Sequence, residues 1–489
     1  MQKTKLNLSK AYSSQYDETT LDNLHINGEV PTWLSGSFVS NGPGQFEVGS
    51  THFNHWFDGF AMLKKFDFKS GTVRFQNRFL QSKEYVESNK LGKLNGNEFG
   101  TYASKSKLGR ILSSINELIT GNSHDNCVVN TTCIDENYIA MTEGNDVVSF
   151  DIKDLSTTGE FNFIDTIPGH FTTAHPHFDF NTGELINISI EIGKATKYHI
   201  YKIEPLSKIR KIIRTYSSDS LFYIHSFSIT NNYIILFKSP LVMNKFKLLL
   251  GLPFNDTLSY QENLSSFFVI IDRRNGKTHE IETEPFVCLH GVNAYEYKNE
   301  IIMDLVCHHS GNPYDKLYLS NLRSSKPTLP TGEIRRYIID IHSKSCNQRT
   351  LSTNAHEFPR INYKSCNGND YQFVYTNLIA NPEDQFFNAI QKLNIQTGSI
   401  QRWDKENYYL GEAVFVARTN GQLEDDGVLL SIAFNVSTQL SSLMIIDALS
   451  MQLLAEVDLP LHLPFGLHGN FYKDPQLFNE VSSHEKLIV

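Results

Sequence analysis

The chain has 489 residues, 40% hydrophobic and 12% aromatic, enough for two or three ordinary domains or one large repeat-built one. Lys plus Arg number 44 against 53 Asp plus Glu, and the formal charge of −9 argues against a nucleic-acid role. No apolar run approaches the roughly 18–20 residues of a transmembrane helix. Met1 to Glu29 is polar without a signal-peptide pattern, and six cysteines with no Cys-x-x-Cys pair are expected as reduced thiols in a cytoplasm.

Helical periodicity is scarce, whereas short β-branched and aromatic runs ended by turn residues fill the chain. One predicted unit recurs: an apolar strand end carrying an acidic or amide residue, a polar turn, then a second strand. It stands at Phe66-Asp67-Phe68 with Gly71, Phe150-Asp151-Ile152, Ile203-Glu204 and Ile271-Asp272 with Gly276. It returns at Ile339-Asp340-Ile341, Leu393-Asn394-Ile395 with Gly398, and Ile446-Asp447. The six steps average roughly 63 residues, the spacing of propeller blades with long loops. Phe178-Asp179-Phe180 with Gly183 is an extra match that falls out of step. The expected architecture is all-β, a seven-bladed β-propeller forming one domain over 1–489.

Two segments break the β pattern. Near 104–122, Leu108, Ile111, Leu112, Ile115 and Ile119 fall at helical spacing beside Lys105, Lys107 and Arg110. Near 238–256, Leu248, Leu249, Leu250, Leu252 and Phe254 are concentrated beside Lys245 and Lys247. Basic residues flanking an apolar face suit a segment lying in a membrane interface. Packing against the body of the protein is the alternative.

Four histidines, His175, His225, His290 and His468, sit in strand-like settings far apart in the chain. Such spacing cannot build a local metal finger. Only a fold that brings many strand ends to one axis would let them converge, as a nitrogen-only site for iron, copper, zinc or nickel. Pro176 biases His175 toward extended backbone, and Gly291 and Gly469 allow close backbone approach beside His290 and His468. His177 is the one other histidine that competes as a ligand. Glu143, Glu357 and Glu412 stand in apolar, strand-like surroundings where a carboxylate is costly unless paired. Each is a candidate to hold the second ring nitrogen of a metal-bound histidine, or to make a core ion pair with Arg or Lys.

These residues and their neighbours carry a resemblance to the carotenoid cleavage oxygenases, the family that includes the vertebrate retinoid isomerase. It runs from Asn41-Gly42-Pro43-Gly44 and His55-Trp56-Phe57-Asp58-Gly59 through Glu98-Phe99-Gly100-Thr101, Asp125-Asn126-Cys127 and Thr142-Glu143. It continues at Ala174-His175-Pro176, His225-Ser226-Phe227, His290, Glu357-Phe358-Pro359-Arg360-Ile361-Asn362 and Gly466-Leu467-His468-Gly469. The resemblance implies a propeller with one Fe(2+) on its axis, a helical and loop cap over the metal-bearing face, and an apolar patch that docks on membranes, matching the 104–122 and 238–256 segments. His175, His225, His290 and His468 match the iron ligands, and Glu143, Glu357 and Glu412 the carboxylates behind them. The place of His177 varies in the family.

The activity so implied is dioxygenase cleavage of a carotenoid or apocarotenoid C=C bond with O2, giving aldehyde or ketone products such as retinal. Thr142 matches the position beside the vacant coordination site, and Phe99 is a candidate to stabilise cationic character along the polyene. Core packing and strand propensity are the plain alternatives for both. The expected partners are an apolar polyene and a membrane surface touched peripherally, with no nucleic acid and no obligate protein partner. Retinoid isomerohydrolase activity is a rival on the same scaffold, weakened because Leu108 stands where the isomerase carries a lipid-modified cysteine. Stilbene cleavage is another, weakened because those relatives use a tyrosine where Phe99 stands. A non-catalytic lipid-binding propeller is the third. Ser40 departs from the family's usual arginine, which bears on local loop contacts.

Overall fold

The computed structural model describes residues 8–103, 106, 108–109, 125–380 and 386–473. Its strands form seven antiparallel blades, the seven-bladed β-propeller that the sequence predicts. Their innermost strands, from the first blade to the seventh, are Gly469–Lys473, Asn130–Ile134, His177–Asp179, Phe227–Ile229, Val287–Tyr297, Ser345–Arg360 and Val414–Ala417. The first blade joins both ends of the chain, because Gly469–Lys473 pairs with Gly36–Ser40 along its whole length. The fifth and sixth blades form one seven-stranded sheet, in which the 16-residue strand Ser345–Arg360 is the outer edge of one and the inner strand of the next.

All seven predicted turns lie between the third and fourth strands of successive blades, for example from Ser266–Asp272 to Thr278–Thr283. At five of the seven the cause is local: the strand-end side chain, Asp151, Asp272, Asp340, Asn394 or Asp447, accepts a backbone N–H two or three residues on and closes the turn. Arg274 N donates to Asp272 Oδ1 at 2.9 Å, Gln396 N to Asn394 Oδ1 at 3.0 Å and Ser450 N to Asp447 Oδ1 at 2.7 Å. The out-of-step match is the same turn at another place, the first-to-second hairpin of the third blade, where Asn181 N donates to Asp179 Oδ1.

Buried apolar side chains fill the seams between blades. Phe66 and Phe75 of the first blade pack in one cluster with Val428 and Leu443 of the seventh, and Ile235 and Ile270 of the fourth with Met303 and Ile339 of the fifth. Of the two non-β segments, most of 104–122 lies outside the described residues, although Leu108 is exposed. In 238–256, strand Leu241–Met243 leads into two short helices, Lys245–Leu249 and Phe254–Thr257. Asn244 caps the first by accepting from Phe246 N and Lys247 N, both at 3.0 Å. That helix leaves Phe246 67% exposed. Among the described residues no helix is long and apolar enough to cross a membrane.

Candidate metal centre

Every blade sends one of the seven predicted polar residues to the axis. His468 precedes the inner strand of the first blade, and Glu143 follows the second strand of the second. His175 and His225 precede the inner strands of the third and fourth, His290 and Glu357 lie within those of the fifth and sixth, and Glu412 precedes that of the seventh. Two ladders are bulged where they aim a side chain: the register shifts around His290 and again between Glu357 and Arg360. Phe358, inside the second bulge, has φ +51°, a costly conformation for a bulky side chain.

The four Nε2 atoms converge. His175 lies 3.0 Å from His225, His225 3.3 Å from His290, and His290 3.2 Å from His468. All four ligand atoms fall within 4.8 Å of one another. Three of the rings turn Nδ1 toward a carboxylate: His225 to Glu143 at 2.6 Å, His290 to Glu357 at 2.6 Å and His468 to Glu412 at 2.9 Å. With Nδ1 donating, Nε2 presents a lone pair, and lone pairs this close repel unless a cation lies between them. A metal–imidazole bond of about 2.1 Å places adjacent octahedral nitrogens about 3 Å apart. The donor set therefore fits a divalent metal bound by neutral imidazoles.

The electrostatics agree. Burial drives His175 and His468 toward the neutral form, His175 well below its ordinary range and His468 to about 4 despite Glu412 beside it. Burial alone would raise the carboxyls, but Arg360 and His468 hold Glu412 at about 2, and His290 with His308 holds Glu357 well below the usual range. Neutral His175 and His468, with Glu357 and Glu412 ionised nearby, would let the charge of a bound metal be partly offset from behind. The two readings of Glu412 coexist, since Arg360 grips the same carboxylate from Nε at 2.9 Å and Nη2 at 2.8 Å. His177 stands apart. Its Nε2 donates to Phe227 O at 2.8 Å and its Nδ1 pairs with the Tyr363 hydroxyl at 2.9 Å.

Two cavities flank the nitrogens. One, of about 40 Å³, is walled by Trp56, Phe57, Leu289, Tyr314, Leu317 and Phe387 around His225, His290 and His468. The other, of about 140 Å³, is mixed in polarity, with Asn130, Ser226, Arg360 and Asn470 beside His175. Phe99 lies behind the apolar wall, its ring centroid 5.2 Å from those of Phe57 and Tyr314. Thr142, half-buried between Met141 and Glu143, is in neither lining.

Residues 12–473 match the retinal pigment epithelial membrane protein family. The chain belongs to the carotenoid cleavage oxygenases. The mouse (Mus musculus) beta,beta-carotene 15,15'-dioxygenase is 29% identical, over 92% of this chain and 88% of its own. A variant of Synechocystis apocarotenoid oxygenase superposes with a TM-score of 0.86 at 25% identity, covering 95% of this chain and 98% of that one. The cobalt-substituted form of the Synechocystis enzyme does so at 0.85 and 24%, with the same coverage.

In this carotenoid oxygenase, several family-like motifs support the site without reaching it. His55 N donates to Asp58 at 2.7 Å, His55 Nε2 donates to Tyr314 O at 3.0 Å, and Asp58 accepts from Gly100 N at 2.7 Å. This buried knot ties Phe57, Phe99 and Tyr314 into one wall. Gly42 and Gly466 touch so closely that a Cβ on Gly42 would lie 2.6 Å from Gly466 Cα, which lets the loop bearing His468 reach the axis. Sequence reasoning missed three donors behind the glutamates. Tyr223 bonds Glu143, His308 Nε2 bonds Glu357 at 3.1 Å, and Arg360 bonds Glu412. Only Arg360, three residues from Glu357, had a local signal.

Proposed function

We propose that this oxygenase is a ferrous-iron dioxygenase that cleaves a C=C bond of a carotenoid or apocarotenoid with dioxygen, yielding aldehyde or ketone fragments. The observation that carries this reading is the four-imidazole set, three of whose rings, His225, His290 and His468, border an aromatic-walled apolar cavity. His175, His225, His290 and His468 would hold the metal, with Glu143, Glu357 and Glu412 fixing three of the rings. When bound, ferrous iron would supply dioxygen binding and its activation for addition across a double bond. Trp56, Phe57, Tyr314 and Phe387 would exclude water and align an extended polyene so that one double bond faces the nitrogens. Phe99 would back that wall, and Thr142 would restrict access next to Glu143. The helix Lys245–Leu249, with Phe246 outward and Lys245 and Lys247 beside it, would dock on a membrane from which an apolar substrate is drawn.

The test is anaerobic reconstitution with ferrous iron, then incubation with carotenes, apocarotenals and stilbenes under isotopically labelled dioxygen. Labelled aldehydes from polyenes alone are the expected products. Stilbene fragments, or 11-cis-retinol from a retinyl ester, would overturn the reading.

A further inference from the structure

Each glutamate behind the histidines is itself gripped from a third layer, and the three grips differ. Tyr223 offers a phenol to Glu143, Arg360 a guanidinium to Glu412, and His308 an imidazole to Glu357. The last is the least expected. His308 ends strand Glu300–His308 and is 5% exposed, whereas its neighbour His309 points outward. Its ring reaches across 49 residues of sequence to Glu357.

The surroundings of Glu357 define what that contact does. Oε2 accepts from His290 Nδ1 at 2.6 Å and from Phe358 N at 2.8 Å, and Oε1 accepts from His308 Nε2 at 3.1 Å. An ionised carboxylate only accepts, so His308 must donate its Nε2–H. Both oxygens are thereby pinned, and the plane of the carboxylate is set. Remove the His308 donor and Oε1 becomes a buried, unsatisfied acceptor, which the group relieves by rotating away from His290.

We propose that His308 is a positioning residue for the metal centre, holding the Glu357 carboxylate and, through it, the His290 ring with Nε2 toward the metal. This rests on reading the four histidines as a metal site. Partners bonded directly to a metal ligand, as Glu357 is to His290, typically change affinity about 10–100-fold when lost, and His308 acts through that carboxylate.

Cobalt(II), which takes imidazole ligands and has visible ligand-field bands, is the probe. The full chain is loaded as wild type, His308→Leu and His308→Gln, and cobalt stoichiometry, band positions and the rate of loss to EDTA are recorded. His308→Leu should release cobalt about 10–100-fold faster, with shifted bands. His308→Gln, whose amide can still donate to Oε1, should stay within about threefold of wild type. If the leucine variant does not fold, His308→Asn, whose amide falls short of Oε1, should show the same loss. In a Glu357→Gln background, His308→Leu should add almost nothing, since the effect passes through that carboxylate. Wild-type behaviour of both donor-lacking variants, equal damage from Gln and Leu, or a full additive effect in the Glu357→Gln background would each overturn the proposal. Failure of the wild type to take up cobalt would instead overturn the metal reading beneath it.

Discussion

Glu143, Glu357 and Glu412 are carboxylates withdrawn from water, and such groups destabilise a fold unless every oxygen finds a partner. Here imidazole, backbone and guanidinium N–H groups bond both oxygens of Glu357 and of Glu412, while His225 and Tyr223 both bond Glu143 at Oε1. Loss of a ligand ring should therefore cost metal more than it costs structure. His290→Ala is expected to reduce bound iron or cobalt at least ~10-fold, while far-ultraviolet circular dichroism stays at the wild-type level. His177→Ala, two residues from a ligand but facing Tyr363 and Phe227, should retain full stoichiometry. Metal analysis of the two purified variants separates the assignments, and loss from the His177 variant would mean that the wrong ring has been chosen.

Among the elements, the strand Phe60–Lys69 does more than complete the first blade. Its Lys64 is fully buried and donates to Pro464 O at 2.7 Å, stapling the blade to the loop that carries His468. Burial pushes the pKa of Lys64 from 10.5 down to about 7. Between those values the folded chain binds fewer protons than the unfolded chain, so this group makes stability rise with pH across the window. The slope cannot exceed about 1.4 kcal/mol per pH unit for one proton. Below pH 7 both states are protonated and the full desolvation cost remains. Urea unfolding at several pH values should show the wild type gaining on Lys64→Met as pH climbs. A pH-independent difference would mean that the ammonium is not buried as described.

The same scale explains what could be read from the chain alone. The strand-end Asp or Asn is legible because its turn closes within three residues, and so the blade count followed from sequence. The signal is equally strong wherever that turn occurs, which is why Asp179 added an eighth match at a different hairpin. The four converging histidines are legible through their motifs. Tyr223 and His308 are not, since their contacts join positions 80 and 49 residues apart without a local pattern. Phe99 belongs to the aromatic wall, yet one layer further out than its motif implied.

For the molecule as a whole, closure of the ring rests on two ladders between the chain ends: Gly36–Ser40 with Gly469–Lys473 in the first blade, and His25–Gly28 with Ala455–Asp458 at the outer edge of the seventh. A chain ended at residue 468 would keep all four converging histidines but lose the ladder of the first blade. It should fail to load metal and should expose its first blade to limited proteolysis; normal loading would show that closure is dispensable for the site. On the outer surface, Phe246→Glu should weaken co-sedimentation with anionic vesicles several-fold without altering metal content. Unchanged sedimentation would remove that helix from any role at a bilayer.

The allotment of one hub residue to each blade also constrains descent. Propellers range from about four to eight blades, and where recognition lies in the rim loops a sheet can be gained or dropped without erasing it. Here the omission of any single blade deletes a histidine or a glutamate, and an inserted one would pull the others off the axis. Ring size and the hub residues are inherited together, so such a ring can diversify at its mouth and its surface but not in its number of blades.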